Sequence, residues 1–379
     1  MIYFIVFLIS IFLTYLAEVS LRSYKDKKRI FYLLSFSAIL IPSLLAGFRD
    51  SGIGTDTIVY VDNYFGRFRY IHGIGDFLIA YKLHQFNDME FIYLLLNFIV
   101  SLFTDSPNGI YFTANFIVIL LFYMAAYDNR KKASMWLVMA FFFFLFYNQS
   151  YNLVRQSIAI AMTIYAFKYI ETGKWLKMIV WLFIIANTHN TGIFIIMLYV
   201  IYYVCTLKNK YIRFFIETVL LAFVVSIFTY FDQIILFSVL IGLLPEKFLA
   251  YLSTMNDSGR VYKIWVAVYI LFIMILWMSK FVVKKDKNIN YYLYNKIIGT
   301  MLLFTSTISQ WAFRISFYLN VIDCIAIPRI LSSMSSKRTL YIAFHFLLIF
   351  LLIIGWYWLI IIRNHNETYP YTSKILGIG

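Results

Sequence analysis

Charge is scarce in this chain: only 13% of its 379 residues are Asp, Glu, Lys or Arg. A soluble domain carries about a quarter, so a water-soluble globular fold is excluded. Cysteine is nearly missing as well. Cys205 and Cys324 lie in separate apolar stretches without paired spacing, so neither a disulfide framework nor a metal site follows. No acidic cluster demands a metal, and no cofactor is expected. There is no Walker lysine spacing, internal repeat, low-complexity linker or soluble nucleotide-binding motif.

What is present is apolar. Hydrophobic residues make up 62% of the chain and aromatics 21%, in runs that recur along the whole length. Runs of about 18 residues or more can cross about 30 Å of hydrocarbon. The expected fold class is an all-α integral membrane protein: one polytopic bundle of about twelve transmembrane helices spanning residues 1–379, with re-entrant and external segments. The formal charge is +15, but the basic residues sit in short clusters between apolar runs rather than in one patch. That is the pattern that orients membrane helices, and nucleic acid is not an expected partner.

Arg22, Lys25, Lys27, Lys28 and Arg29 follow the first run at once, which puts that loop inside and the N-terminus outside. Residues 2–16 lack a basic start and a small-residue cleavage site, so they read as a retained span. The second span, 30–48, delivers Arg49 to the external face. Residues 49–108 then form an external segment in which 89–103, apolar but short, is expected to be re-entrant or interfacial. Further spans alternate to Arg130–Lys132, 171–177, 208–213, 280–287 and 337–338, each a cytoplasmic turn. Residues 232–260 form a second external loop, and the tail 363–379 is external.

Four polar spots interrupt this pattern: residues 44–65, 147–156, 187–192 and 306–314. Under the expected topology all reach the external side. In the first, Arg49 and Asp56 flank Gly52 and Gly54, and two glycines permit close backbone approach to a ligand. Arg49 can equally be a helix-end anchor, and Asp56 a cap. Asn152, Arg155, Gln156 and Ala159 have i, i+3, i+4, i+7 spacing, one face of a helix. A cation there is costly against lipid, about 2.5–3.5 kcal/mol for a central Arg, and should face the bundle interior. His189 lies at the tip of a short hairpin among Asn and Thr residues, and an imidazole suits proton transfer near neutral pH or a purely structural role. Arg314 stands in a similar setting to Arg155. Asp323, further down the following helix, is either a buried cation's partner or a sign of a misplaced boundary. Several arginines at one membrane face suit a diphosphate, whose oxygens a guanidinium fork binds bidentately.

The ordered set resembles a known family. AGFRDSGIGTDTIVY (46–60) resembles the GxR…GxDxxxY stretch of the EpsG-like, Wzy-type bacterial polysaccharide polymerases. YNLVRQSIAIAMTIYAFKYI (151–170) resembles their N-x-x-R-Q-x-x-A helix, ANTHNTG (186–192) their H-x-S/T turn, and WAFRISFYL (311–319) their late Arg–Tyr element. Thr191 stands where serine is expected and keeps the hydroxyl. Tyr369-Pro370-Tyr371 is similar to the family's C-terminal PY.

The resemblance implies a membrane glycosyltransferase of GT-C-like architecture at the outer face of the bacterial cytoplasmic membrane. It would join oligosaccharide repeat units carried on undecaprenyl diphosphate into O-antigen, capsule or exopolysaccharide. Arg155, Arg314 and Arg49 would bind the diphosphate, with Thr55, Thr191, Asn152 and Gln156 also at the substrate. His189 or Asp56 would take the acceptor's proton. Donor and acceptor are both lipid-linked, membrane lipids surround the protein, and a chain-length regulator is the protein partner implied. A ligase or acyltransferase would use a similar site. A flippase would bind the same lipid but should show symmetric halves or charges along a path through the bilayer.

Overall fold

The computed structural model describes the chain apart from residues 24–27, 56, 87–88, 244–245, 247–248, 250–258, 283–287, 305–311 and 335–337. Among the described residues the secondary structure is helical, with one isolated bridge, Ser373 to Ile378, in place of any sheet. Among the described residues five helices are long and apolar enough to cross a bilayer: Ile2–Arg22, Lys28–Gly47, Asn108–Asn129, Phe313–Ser333 and Tyr341–Ile362. Large apolar side chains such as Phe12, Leu33, Phe36 and Phe350 stand more than half exposed along them. Water would not tolerate so much exposed hydrocarbon, whereas lipid would. This is a membrane protein.

Other apolar runs fold as shorter helices. One pair, Lys210–Ile227 and Phe231–Leu240, bends by 78°, so helix occupies the start of the loop expected at 232–260. The helix Phe91–Ser101 has 11 residues, about 16 Å at 1.5 Å per residue. That is too short to cross the hydrocarbon.

The chain forms two compact units, Met1–Ile193 with Ile342–Gly379, and Phe194–Tyr341. In the first, α1 (Ile2–Ser23) packs on α2 (Lys28–Gly47). Short helices α3 (Asn63–Arg67) and α4 (Ile74–Lys82) lead to α5 (Phe91–Ser101). Next come α6 (Asn108–Asn129), α7 (Met135–Phe142), α8 (Gln149–Asn152), α9 (Val154–Glu171) and α10 (Trp175–Thr188). Pro42 lies inside α2 and has no N–H, which leaves the Ala38 carbonyl without its helical donor. Ser10 on α1 supplies one, Oγ to Ala38 O at 2.6 Å. Glu18 closes the other end by accepting from the Met135 N–H at 2.8 Å, where α7 begins. In a bilayer each such group must find a protein partner.

The second unit contains α11 (Ile195–Thr206), α12 (Lys210–Thr229), α13 (Phe231–Leu240), α14 (Gly259–Val282), α15 (Ile289–Leu303), α16 (Ser316–Asn320) and α17 (Asp323–Ser333). From Ile342 on, α18 (Arg338–Trp356) belongs to the first unit. Buried α15 is surrounded by α11, α12, α14, α16 and α17. Its Lys296, 0% exposed, pairs with Asp323, donates to Asn320 Oδ1 at 3.0 Å and lies 3.1 Å over the Tyr269 ring. Asp323 is therefore a cation's partner, and the cation is Lys296.

Candidate functional site

The loop after α2 is built around a buried arginine. Helix α2 ends at Gly47, where a Cβ would stand 2.7 Å from Phe112 Cβ, so α6 can approach only a glycine. Asn108 at the start of α6 donates to Gly47 O at 2.6 Å, a carbonyl that the helix end leaves open, and to Arg49 O in the following loop at 3.0 Å. Arg49 turns inward and is 1% exposed. Its guanidinium lies between the rings of Tyr111 and Tyr151, 4.2 Å from each centroid, and donates to Ala46 O and Tyr151 O at 3.1 and 3.4 Å. So enclosed, Arg49 braces three helices rather than presenting a charge to solvent.

The glycine loop is spent on the protein itself. Gly54 has φ +87°, and a Cβ there would come within 2.7 Å of Tyr151 O. The close approach expected for a ligand is made to the 151–152 backbone. This contact also breaks the helical face expected through Asn152, Arg155, Gln156 and Ala159. Helix α8 ends at Asn152, Leu153 leaves helical geometry at φ −90° and ψ 60°, and α9 starts at Val154. Tyr151 O faces Gly54 and Arg49 instead of continuing a single helix. Arg155 and Gln156 keep their place on α9, with Gln156 buried and Arg155 half-buried; Asn152 stands on the preceding turn. Thr55 is exposed at the end of the loop, and Asp56 lies outside the described residues.

The C-terminal tail closes over the same loop. Gly54 N donates to Glu367 O at 2.9 Å and Asp50 N to Thr372 O at 3.1 Å. Tyr371 of the PY pair donates to Leu45 O at 2.9 Å, and Ser373 bonds Phe48 O. The Lys374 N–H reaches Asp50 Oδ1 at 2.9 Å and holds that carboxyl below its usual range. Tyr3 of α1 fixes the tail's root through Thr368 O at 2.8 Å. Sequence alone showed a PY pair here but not what it touches.

The second group centres on a carboxylate that the sequence reasoning missed. Glu90 precedes α5 and is 8% exposed. One oxygen meets Arg155 Nη1 at 2.6 Å; the other accepts the backbone N–H of Asn190 at 2.9 Å. Burial pushes its carboxyl up, but Arg155, His189 and the Asn190 N–H outweigh that and hold Glu90 below the usual carboxylate range. Tyr60, the last residue of the first motif, lies with its ring 5.2 Å from the Arg155 guanidinium. At the turn after α10, His189 Nδ1 meets Thr191 Oγ1 at 2.7 Å, a contact that orients the imidazole. Gly192 has no room for a Cβ, which would stand 2.6 Å from Ile185 O. The only hint of Glu90 in the sequence was an acid at the head of an apolar run.

Three of the four polar stretches thus meet within the first unit, through Arg49, Gly54, Tyr60, Arg155, Glu90 and the 189–192 turn. Arg314 belongs to the second unit, half-buried on a turn of 3-10 helix, Ala312–Ile315, that leads into α16.

The model of the EpsG family matches residues 32–373, nearly the whole chain. The chain belongs to the EpsG family. Membership points to a polysaccharide-polymerase type of function. No curated protein and no solved structure matches the chain significantly.

Proposed function

We propose that this EpsG-family protein is a membrane glycosyltransferase that polymerises undecaprenyl-diphosphate-linked repeat units at the outer face of the bacterial cytoplasmic membrane. Both termini are then external. The observation that carries the proposal is the cluster Arg155–Glu90–Asn190–His189, where one carboxylate anchors a half-buried cation and the turn that carries an oriented imidazole. In the reaction, the bond between the growing chain's anomeric carbon and its diphosphate breaks. A sugar hydroxyl of the incoming lipid-linked unit forms the new glycosidic bond. Its proton passes to His189 or Asp56, and the diphosphate leaves with the charge that Arg155 neutralises. Glu90 takes no part in the bonds; it holds Arg155 and the 189–192 turn in register. Arg49 braces the loop, Thr191 orients His189, and Thr55, Asn152 and Gln156 flank the bound substrate. Arg314, in the second unit, is a further candidate for binding substrate. Membrane lipids and a chain-length regulator are the proposed partners.

The test is a reaction of the purified protein in lipid nanodiscs with lipid-linked repeat unit alone, no nucleotide sugar added. The expected result is a ladder of longer lipid-linked chains with equimolar release of undecaprenyl diphosphate. Unchanged single units, with a protein that binds the substrate, would overturn the proposal.

A further inference from the structure

Beside the Arg155 cluster, between the 186–190 stretch and a segment, 81–94, that no sequence motif covers, lies an open cleft of about 490 Å³. One wall comes from the end of α4 and the turn that follows it, with Tyr81 at the rim and buried Phe86 behind. The start of α5 contributes Phe91, whose ring meets that of Tyr81 edge-on at 5.2 Å. The opposite wall is the tip of α10 and the turn beyond it, with Asn187 and Asn190. Glu90 lies between the walls, and it is the same carboxylate that holds Arg155 and the Asn190 N–H. A group bound in the cleft is therefore one side chain away from Arg155.

The lining discriminates among ligands. A polyprenyl tail calls for an unbroken apolar wall, and here two amides and a carboxylate interrupt it. A diphosphate calls for several buried cations, and the basic residues of the lining, Lys82 and His84, both stand exposed. Aromatic faces carry partial negative charge and attract C–H groups, while amides and a carboxylate pair with hydroxyls. A sugar ring offers both on one body. The volume falls within the range of small-ligand sites, about 300–1,000 Å³.

We propose that this cleft is the saccharide subsite, holding the sugar next to the lipid diphosphate, with its C–H face against Tyr81 and its hydroxyls on Asn187, Asn190 and Glu90. The proposal rests on the polymerase reading and adds to it where the sugar lies. The Asn190 side chain is exposed while its backbone serves Glu90, so Asn190→Ala removes a sugar contact and leaves the Glu90 bond in place.

The experiment measures binding to wild-type protein, Asn190→Ala and Tyr81→Leu in nanodiscs, using two probes. One is the lipid-linked repeat unit extracted from cells lacking the protein; the other is undecaprenyl diphosphate without sugar. Each variant should lose about tenfold in affinity for the glycosylated lipid, about 1.4 kcal/mol, and keep wild-type affinity for the bare one. Wild-type affinity for both lipids, or equal loss on both, would overturn the subsite while the polymerase reading stands. Wild-type protein binding neither lipid would remove the reading and the subsite together.

Discussion

Glu90 is the residue on which the candidate site turns, because one carboxylate serves a cation and a backbone turn at once. Hydrogen bonds to a charged group contribute about 1.5–3 kcal/mol each. Glu90→Gln, which keeps the shape and loses the charge, should slow chain elongation by about tenfold or more. Arg155→Lys should fare no better, since an ammonium lacks the planar fork. Elongation rates in nanodiscs check both, and wild-type rates would contradict the assigned anchoring role. Gly54 makes a second, purely structural prediction. Alanine there meets φ +87° and the Tyr151 carbonyl at 2.7 Å, strain of order 1–3 kcal/mol. A lowered melting temperature in detergent is the expected outcome, with the Arg49 loop loosened. The need for glycine was legible in the sequence; that the partner is the protein's own backbone was not. Glu90 was illegible because it sits at the head of an apolar run, with no motif around it.

Among the elements, the C-terminal tail does more than end the chain. It ties 367–374 to the loop 45–54 by main-chain and side-chain bonds. Its root contains His365, whose imidazole burial pushes down to about 4, against about 6.5 for an unfolded histidine. The folded state resists protonation here, so the unfolded chain binds the proton more readily between those values. Stability should therefore be complete above about pH 6.5 and fall as pH drops toward 4. Thermal unfolding across that window, compared with His365→Gln, checks the sign; identical pH profiles would contradict it. The break between α8 and α9 was also beyond sequence reasoning. Residues 152–159 carry helical periodicity and neither Gly nor Pro at Leu153. Where the helix is interrupted, Gly54 and Arg49 pack on the Tyr151 carbonyl, a long-range contact that no local pattern announces.

For the whole molecule, apolar runs and basic clusters were enough to recognise a helical membrane protein, since lipid leaves a backbone few alternatives. Run length was a poorer guide to crossings. The run at 89–103, short already in the sequence, folds as a short helix, whereas the apolar run through 227–231, expected to span, bends by 78°. The buried pair in the second unit was half legible: Asp323 stood out, while Lys296 was hidden inside a run that reads as a span. Breaking such a pair costs about 3–5 kcal/mol, whereas replacing both partners by apolar residues can be neutral. Lys296→Met should lower the amount of folded protein in the membrane, and Lys296→Met with Asp323→Leu should recover it. Equal membrane levels in the single variant and wild type would contradict the pair's role. The central claim, a polymerase that works through Arg155 and His189, is tested most directly in cells. The measurement is the length distribution of surface polysaccharide in cells lacking the protein, complemented by wild type, Arg155→Ala or His189→Ala at matched membrane levels. Single repeat units in the null and in both variants, with long chains restored by wild type alone, are predicted. Long chains in the null, or from both variants, would contradict the account.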